Sequence, residues 1–248
     1  MGKLVVVTGG SRGIGASTAT LLASRGWDVA VGYQRDDESA LSVVTECMAM
    51  GSRAAAFKAD VASNDDVVRL FAAVDEDLGP LDAMVNCAGI VAEKARVDEY
   101  SSERIERVFA VNVVGSFLCA GEAVRRMSTR HGGHGGSIVN VSSAASRLGS
   151  PGEYVDYAAS KGAIDTMTVG LAREVAAEGI RVNAVRPGLV DTTIHASGGQ
   201  PDRVQRLAGS IPMGRPGEPP EVATAIAWLC SDEASYVTGA LLDVSGGR

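Results

Sequence analysis

A chain of 248 residues holds one large α/β domain or two small ones, and is long enough to bury a substantial core. Its net charge of −7, with Lys and Arg scattered and no basic block, argues against a nucleic-acid backbone as partner. Four widely spaced cysteines (Cys47, Cys87, Cys119 and Cys230) contain no C-x-x-C pair, so neither a zinc site nor a disulfide framework is suggested, and buried free thiols in a reducing compartment, the cytoplasm, are expected.

The first predicted strand, Lys3–Thr8, is too short an apolar run for a signal sequence or membrane span, so no membrane contact is expected. Thr8-Gly9-Gly10-Ser11-Arg12-Gly13-Ile14-Gly15 follows it at once and leads into a predicted helix, Ile14–Arg25. Glycines in so tight a turn let the backbone approach a pyrophosphate, and the helix N-terminus beyond offers unpaired N–H groups and a favourable dipole. The second strand, Asp28–Tyr33, runs out into Gln34-Arg35. An acid at this point would bind the ribose 2′-hydroxyl of NAD, but none occurs before Asp36. Arg12 and Arg35 instead suit a 2′-phosphate, to which a guanidinium presents a fork of donors. The expected cofactor is NADP(H); a register shift of one residue would bring Asp36 to the ribose and favour NAD(H).

Further along, helix Asp37–Met50, strand Arg53–Ala59, helix Asn64–Leu78 and strand Ala83–Asn86 are predicted in turn. They are followed by helix Ser102–Met127, strand Ser137–Ser142, helix Val155–Glu178, strand Arg181–Arg186, helix Pro220–Cys230 and strand Ala240–Val244. Ser63-Asn64-Asp65-Asp66 supplies a cap and acidic residues at one helix start, and Gly26, Gly51, Gly79 and Gly179 stand where helices should stop. Most strands are apolar throughout, as expected when both sheet faces are covered. The alternation predicts one α/β domain over residues 1–248: a Rossmann-type, doubly wound, parallel seven-stranded sheet with helices on both faces. Two segments break the rhythm. His131–Gly136 is Gly-rich; its two histidines, His131 and His134, fall short of a metal-ligand set, so no metal is expected. Thr192–Gly217 is a long polar insertion that reads as a substrate lid.

Tyr157 and Lys161, four apart on a predicted helix, share one face. A nearby ammonium favours a phenolate and is expected to lower the Tyr157 pKa toward the working range. Tyr154 has no such lysine, since Ala158 stands four residues after it.

With these landmarks in order, from Thr8-Gly9-x-x-x-Gly13-x-Gly15 through Asp60-Val61, Asn86-Cys87-Ala88-Gly89, Asn112, Ser143, Tyr157-x-x-x-Lys161 and Pro187-Gly188, the chain resembles the short-chain dehydrogenase/reductase family from Lys3 to Gly247. The resemblance implies that Asp60 holds the adenine amino group, with Val61 packed beside the ring. It also implies that Asn86, Ala88 and Gly89 end a strand against the cofactor, Cys87 standing where a second Asn is usual. Pro187, Gly188, Val190 and Thr192 would form the loop over the nicotinamide. Lys161 would also bind the nicotinamide ribose, Ser143 the substrate oxygen, and Asn112 a water linking Lys161 to solvent; Ser142 competes with Ser143 for its role. The activity implied is interconversion of a carbonyl and a secondary alcohol, with Tyr157 as general acid or base. The resemblance is strongest to 3-oxoacyl-(acyl-carrier-protein) reductases and sugar dehydrogenases. It therefore implies a small carbonyl or alcohol substrate, acyl carrier protein as a partner docking on Arg130 and Arg173, and a homotetramer. The alternative is a non-catalytic NADP(H)-binding regulatory or scaffold protein.

Overall fold

The computed structural model describes residues 2–248. Seven strands, β1 (Leu4–Thr8), β2 (Asp28–Tyr33), β3 (Ala54–Lys58), β4 (Ala83–Asn86), β5 (Gly136–Val141), β6 (Ile180–Pro187) and β7 (Leu241–Val244), form one parallel sheet in the order β3-β2-β1-β4-β5-β6-β7. The ten α-helices among the described residues are α1 (Gly13–Ser24), α2 (Asp37–Ala49), α3 (Asn64–Asp77), α4 (Ser102–Phe109), α5 (Gly115–Met127), α6 (Ala145–Leu148), α7 (Val155–Val175), α8 (Ile194–Ser197), α9 (Arg203–Leu207) and α10 (Pro219–Cys230).

Successive side chains of a strand point to opposite faces, and β1 shows the consequence. Leu4 and Val6 enter a core built with Phe71 of α3, Ala123 and Met127 of α5 and Ile164 of α7. Val5 and Val7 enter a second core with Leu22 of α1, Val43 of α2 and Ile226 of α10. All these side chains are buried, so the central strands need apolar residues at every position.

Local chemistry places the helix ends. The side chains of Ser63 and Ser101 accept from Asp66 N and Arg104 N at the starts of α3 and α4, and Glu218 and Glu221 form a capping box across the first turn of α10. Strand order reverses between β1 and β4, which opens a crevice at their carboxyl ends. The register sets Thr8 of β1 beside Gly32 of β2 and Asn86 of β4.

The helix expected over Ser102–Met127 is interrupted: Ala110–Val114 forms a π turn between α4 and α5. By length and composition this stretch is apolar enough to cross a membrane. Here it lies in the helical layer, with Val108, Val111, Cys119, Ala120, Ala123 and Met127 buried against the rest of the fold. The insertion after β6 carries α8 and α9, held by a small apolar cluster of Leu189, Val204, Ile211 and Leu207.

Candidate active site

A cleft of about 980 Å³ runs along the carboxyl edge of the sheet, at the upper end of the range for small-molecule sites. Its floor is the β1–α1 turn. Gly9 takes a φ of 63°, and a Cβ there would come 2.9 Å from Ala88 Cα at the end of β4. A Cβ on Gly15 would run into the Gly9 carbonyl oxygen. Thr8 Oγ1 accepts from Cys87 N (3.2 Å) and Ala88 N (3.3 Å), tying the turn to β4. Helix α1 begins without a side-chain cap, leaving its first N–H groups directed at the cleft. Ser11, Arg12, Gly13 and Ile14 line this end, and Thr192 faces Gly13 across it.

At the end of β2 the polar groups sort themselves. Asp36 is spent as the cap of α2: Oδ1 accepts from Ser39 N (3.0 Å) and Oδ2 from Ser39 Oγ (2.7 Å), which holds its carboxyl below the ordinary value. Gln34 Nε2 donates to Asp60 Oδ2, and Ala62 N to Asp60 Oδ1 (3.0 Å), so Asp60 is fixed beside buried Val61. Arg12 and Arg35 line the cleft, are exposed, and have no ion-pair partner within 4.0 Å among the described residues. Gln34 was not singled out in the sequence, where one amide beyond a strand carries no signal.

At the other end, Lys161 is buried and its Nζ donates to Val141 O (2.7 Å), 5.6 Å from the Tyr157 ring centroid. Ser143 Oγ accepts from Ala145 N (3.1 Å), which leaves its proton free to donate to the Tyr157 phenol. Ser142, its rival, turns its hydroxyl into the fold, 2.7 Å from Asp165 Oδ1. Tyr154 is buried and donates to Gly198 O of the insertion after β6, so it too is otherwise engaged.

The expectation that the ammonium lowers the Tyr157 pKa is corrected. Burial dominates, raising the Tyr157 phenol above its ordinary value and pushing Lys161 down to about 8. Desolvation disfavours both charged forms, and the Lys161 ammonium is committed to a backbone carbonyl. Cys87 is raised to about 11 by burial and stays a neutral thiol.

Two residues expected at the site do not line the cleft. Asn86 is buried, with its Nδ2 donating to Asn140 Oδ1 (2.9 Å) and Ser116 O (3.3 Å), so its side chain braces β4 against β5 and α5. Asn112, in the π turn, accepts from Ile90 N (2.8 Å) and donates to Ile90 O (3.0 Å) and Ser160 Oγ (3.0 Å). Its side chain is consumed by protein partners, yet it borders the site: a Cβ on Gly89 would lie 3.5 Å from Asn112 Oδ1 and 3.6 Å from Lys161 Nζ. The remaining residues named from the sequence, from Gly9 and Gly15 through Ala88 and Gly89 to Pro187, Gly188, Val190 and Thr192, line one continuous cleft.

The insertion after β6 adds groups that the sequence did not single out. Arg203 of α9 pairs with Glu153 and stacks over the Tyr154 ring, 5.1 Å from its centroid. His195 Nε2 contacts Val190 O at 2.9 Å, and burial lowers its pKa, which favours the neutral ring.

A glycine cradle at the switch point, two exposed guanidiniums at one end of the cleft and a Ser-Tyr-Lys group at the other are the features of a dinucleotide-binding oxidoreductase fold. A family model described as enoyl-(acyl carrier protein) reductase matches residues 9–248. Over 245 residues the chain is 56% identical to the uncharacterized oxidoreductase YgfF of Escherichia coli (strain K12), covering 99% of each. It is 41% identical to 3beta-hydroxysteroid dehydrogenase 1 of Eggerthella lenta, covering 99% of this chain and 93% of that one. A short-chain type dehydrogenase/reductase from Mycobacterium marinum superposes with a TM-score of 0.93 at 33% identity, covering 99% of this chain and 95% of that one. The chain belongs to the short-chain dehydrogenase/reductase family, and is an oxidoreductase using a nicotinamide nucleotide.

Proposed function

We propose that the protein interconverts a carbonyl and a secondary alcohol with NADP(H), Tyr157 serving as general acid in reduction and general base in oxidation. The observation that carries this reading is the cleft itself, which brings Ser143, Tyr157 and buried Lys161, its Nζ 5.6 Å from the Tyr157 ring centroid, to one end and Arg12 and Arg35 to the other. The glycine turn and the uncapped start of α1 would hold the pyrophosphate, Asp60 and Val61 the adenine, and Pro187, Gly188, Val190 and Thr192 the nicotinamide side. When bound, the nicotinamide supplies or accepts the hydride.

The protein's own part is to orient the substrate oxygen and move a proton. Ser143 donates to that oxygen and stabilises charge on it, and Tyr157 Oη delivers the proton or withdraws it. Lys161 would hold the nicotinamide ribose, and the positive charge of an oxidised nicotinamide would favour the Tyr157 phenolate that burial alone opposes. Asn112 holds the Ile90 backbone and the π turn in place next to Lys161, where a water relay to solvent would run.

Substrates to test are a 3-oxoacyl thioester, free and carrier-linked, a sugar, and a steroid ketone with its alcohol. NADPH consumption with one of the ketones, or NADP+ reduction with the sugar or an alcohol, is expected. No turnover in either direction, with NADPH bound, would favour the regulatory alternative. Arg130 and Arg173 are both exposed and are the cations an acyl carrier protein would meet, so a preference for the carrier-linked thioester that is lost on replacing both tests that partner.

The assembly is read from the surface. Ile105, Val114 and Phe117 on α4, the π turn and α5, with Val155 on α7, are exposed apolar residues on neighbouring elements, and Gly162 and Gly170 leave α7 open to close approach. They support a homotetramer packed through these helices. Phe117→Arg is expected to reduce the mass seen by light scattering; an unchanged mass would overturn this interface. Buried Cys47, Cys119 and Cys230 as free thiols support a reducing compartment, the cytoplasm.

A further inference from the structure

Behind the catalytic wall lies a chain of charged groups that the proton transfer does not use. Asp165 sits one turn beyond Lys161 on α7, its side chain largely buried. Its Oδ1 lies 2.7 Å from Ser142 Oγ, which is also 3.1 Å from the Lys161 carbonyl oxygen. Its Oδ2 accepts from Arg186 Nε at 3.0 Å. Arg186 reaches Asp243 of β7 (3.8 Å), and Asp243 meets Arg147 of α6 (3.2 Å). Three of these residues adjoin a residue of the site: Ser142 precedes Ser143, Arg186 precedes Pro187-Gly188, and Asp165 follows Lys161 on the same helix face.

We infer that the Asp165–Arg186 pair is a positioning element: it locks the Ser143 strand end, the Lys161 helix and the Pro187-Gly188 loop into one register, and sets the charge that Lys161 experiences. The inference rests on reading Tyr157 and Lys161 as the proton-transfer pair. As a stability device such a pair is weak, because well-packed apolar residues would avoid its desolvation cost. What it supplies is register between three elements at the points where each carries a site residue. It also supplies field. Lys161 faces Tyr157 and Asp165 from its own helix, the Cys87 thiol from the end of β4, the Val141 carbonyl from β5 and Asn112 from the π turn. Asp165 is the carboxylate that opposes the loss of the Lys161 charge on burial, and Arg186 balances Asp165.

Removing one charge of the pair should therefore move the Lys161 titration, and removing both should return it. The sequence holds four lysines, Lys3, Lys58, Lys94 and Lys161, so carbon-13 labelling at the lysine ε-carbon resolves Lys161 by comparison with Lys161→Met. The titration is run on the full chain without cofactor, and needs no substrate. The wild-type midpoint is expected at about 8. Asp165→Asn keeps an oxygen for Ser142 but leaves Arg186 with only the more distant Asp243, and should lower the midpoint by about half a pH unit or more. Arg186→Gln should raise it, and the double variant should return it toward wild type.

A merely structural role would change melting temperature without this reversal of sign. An unchanged midpoint in both single variants, or a double variant displaced as far as Asp165→Asn, would overturn the inference. If Asp165→Asn does not fold, Arg186→Gln alone decides by the direction of its shift. Failure of the underlying reading shows separately, as turnover retained by Tyr157→Phe.

Discussion

Tyr157→Phe is expected to lower kcat by about 10²–10⁴-fold, the contribution typical of a positioned general acid–base group, while NADPH binding stays near wild type. The substitution removes one oxygen and leaves the ring, so the packing around α7 and the backbone of the cleft are kept. A thousandfold loss is about 4 kcal/mol of transition-state stabilisation, more than a single neutral hydrogen bond contributes. Single-turnover rates and nicotinamide fluorescence on the same variant separate chemistry from binding. Unchanged turnover would remove Tyr157 from the mechanism, and Tyr154, bonded to the lid at Gly198, would not replace it. The direction of the pH dependence follows from the same geometry. Burial raises the Tyr157 phenol, so carbonyl reduction, which consumes the protonated form, should persist to alkaline pH. Alcohol oxidation needs the phenolate and should rise with pH until that group is deprotonated. The opposite slopes would contradict Tyr157 as the proton carrier.

Replacing Arg12 and Arg35 together is the second large effect. Arg12→Ala/Arg35→Ala is expected to weaken NADPH binding by roughly 10–100-fold, because two charge-assisted contacts are lost from an exposed site where solvent screens each of them. NADH binding should change little. Neither guanidinium has an ion-pair partner within 4.0 Å among the described residues, so removing them should not disturb folding. Asp36 cannot easily take over the ribose. Both its oxygens hold Ser39 at the start of α2, and turning it toward a 2′-hydroxyl would uncap that helix. Equal weakening of NADPH and NADH would mean that the arginines act on the shared pyrophosphate.

The seven strands and the placement of the glycine turn were legible because buried parallel strands are apolar at nearly every position and the turn punctuates them. The order of the strands was not, since periodicity does not say which strand lies beside which. The π turn at Ala110–Val114 was hidden for a related reason: an apolar helix with one extra residue in a turn keeps an almost unchanged pattern. Asn86 was assigned to the cofactor from its place in a motif. Its side chain leaves the sheet on the core side, and its partners Asn140 and Ser116 are distant in sequence. Arg203 with Glu153 and Gln200 with Tyr154, which dock the lid, are long-range pairs among ordinary polar residues and left no periodic trace. The direction of the Tyr157 shift also lay outside reach. A lysine four residues away is visible in the sequence, but the depth at which both groups are buried is a property of the packed cleft.

The most direct test is nicotinamide fluorescence as the purified protein is titrated with NADPH and, separately, with NADH. NADPH is expected to bind at least about tenfold more tightly, as charge-assisted contacts to a 2′-phosphate require. Equal or tighter binding of NADH would contradict the roles given to Arg12 and Arg35, and no binding of either would contradict the cleft as a dinucleotide site.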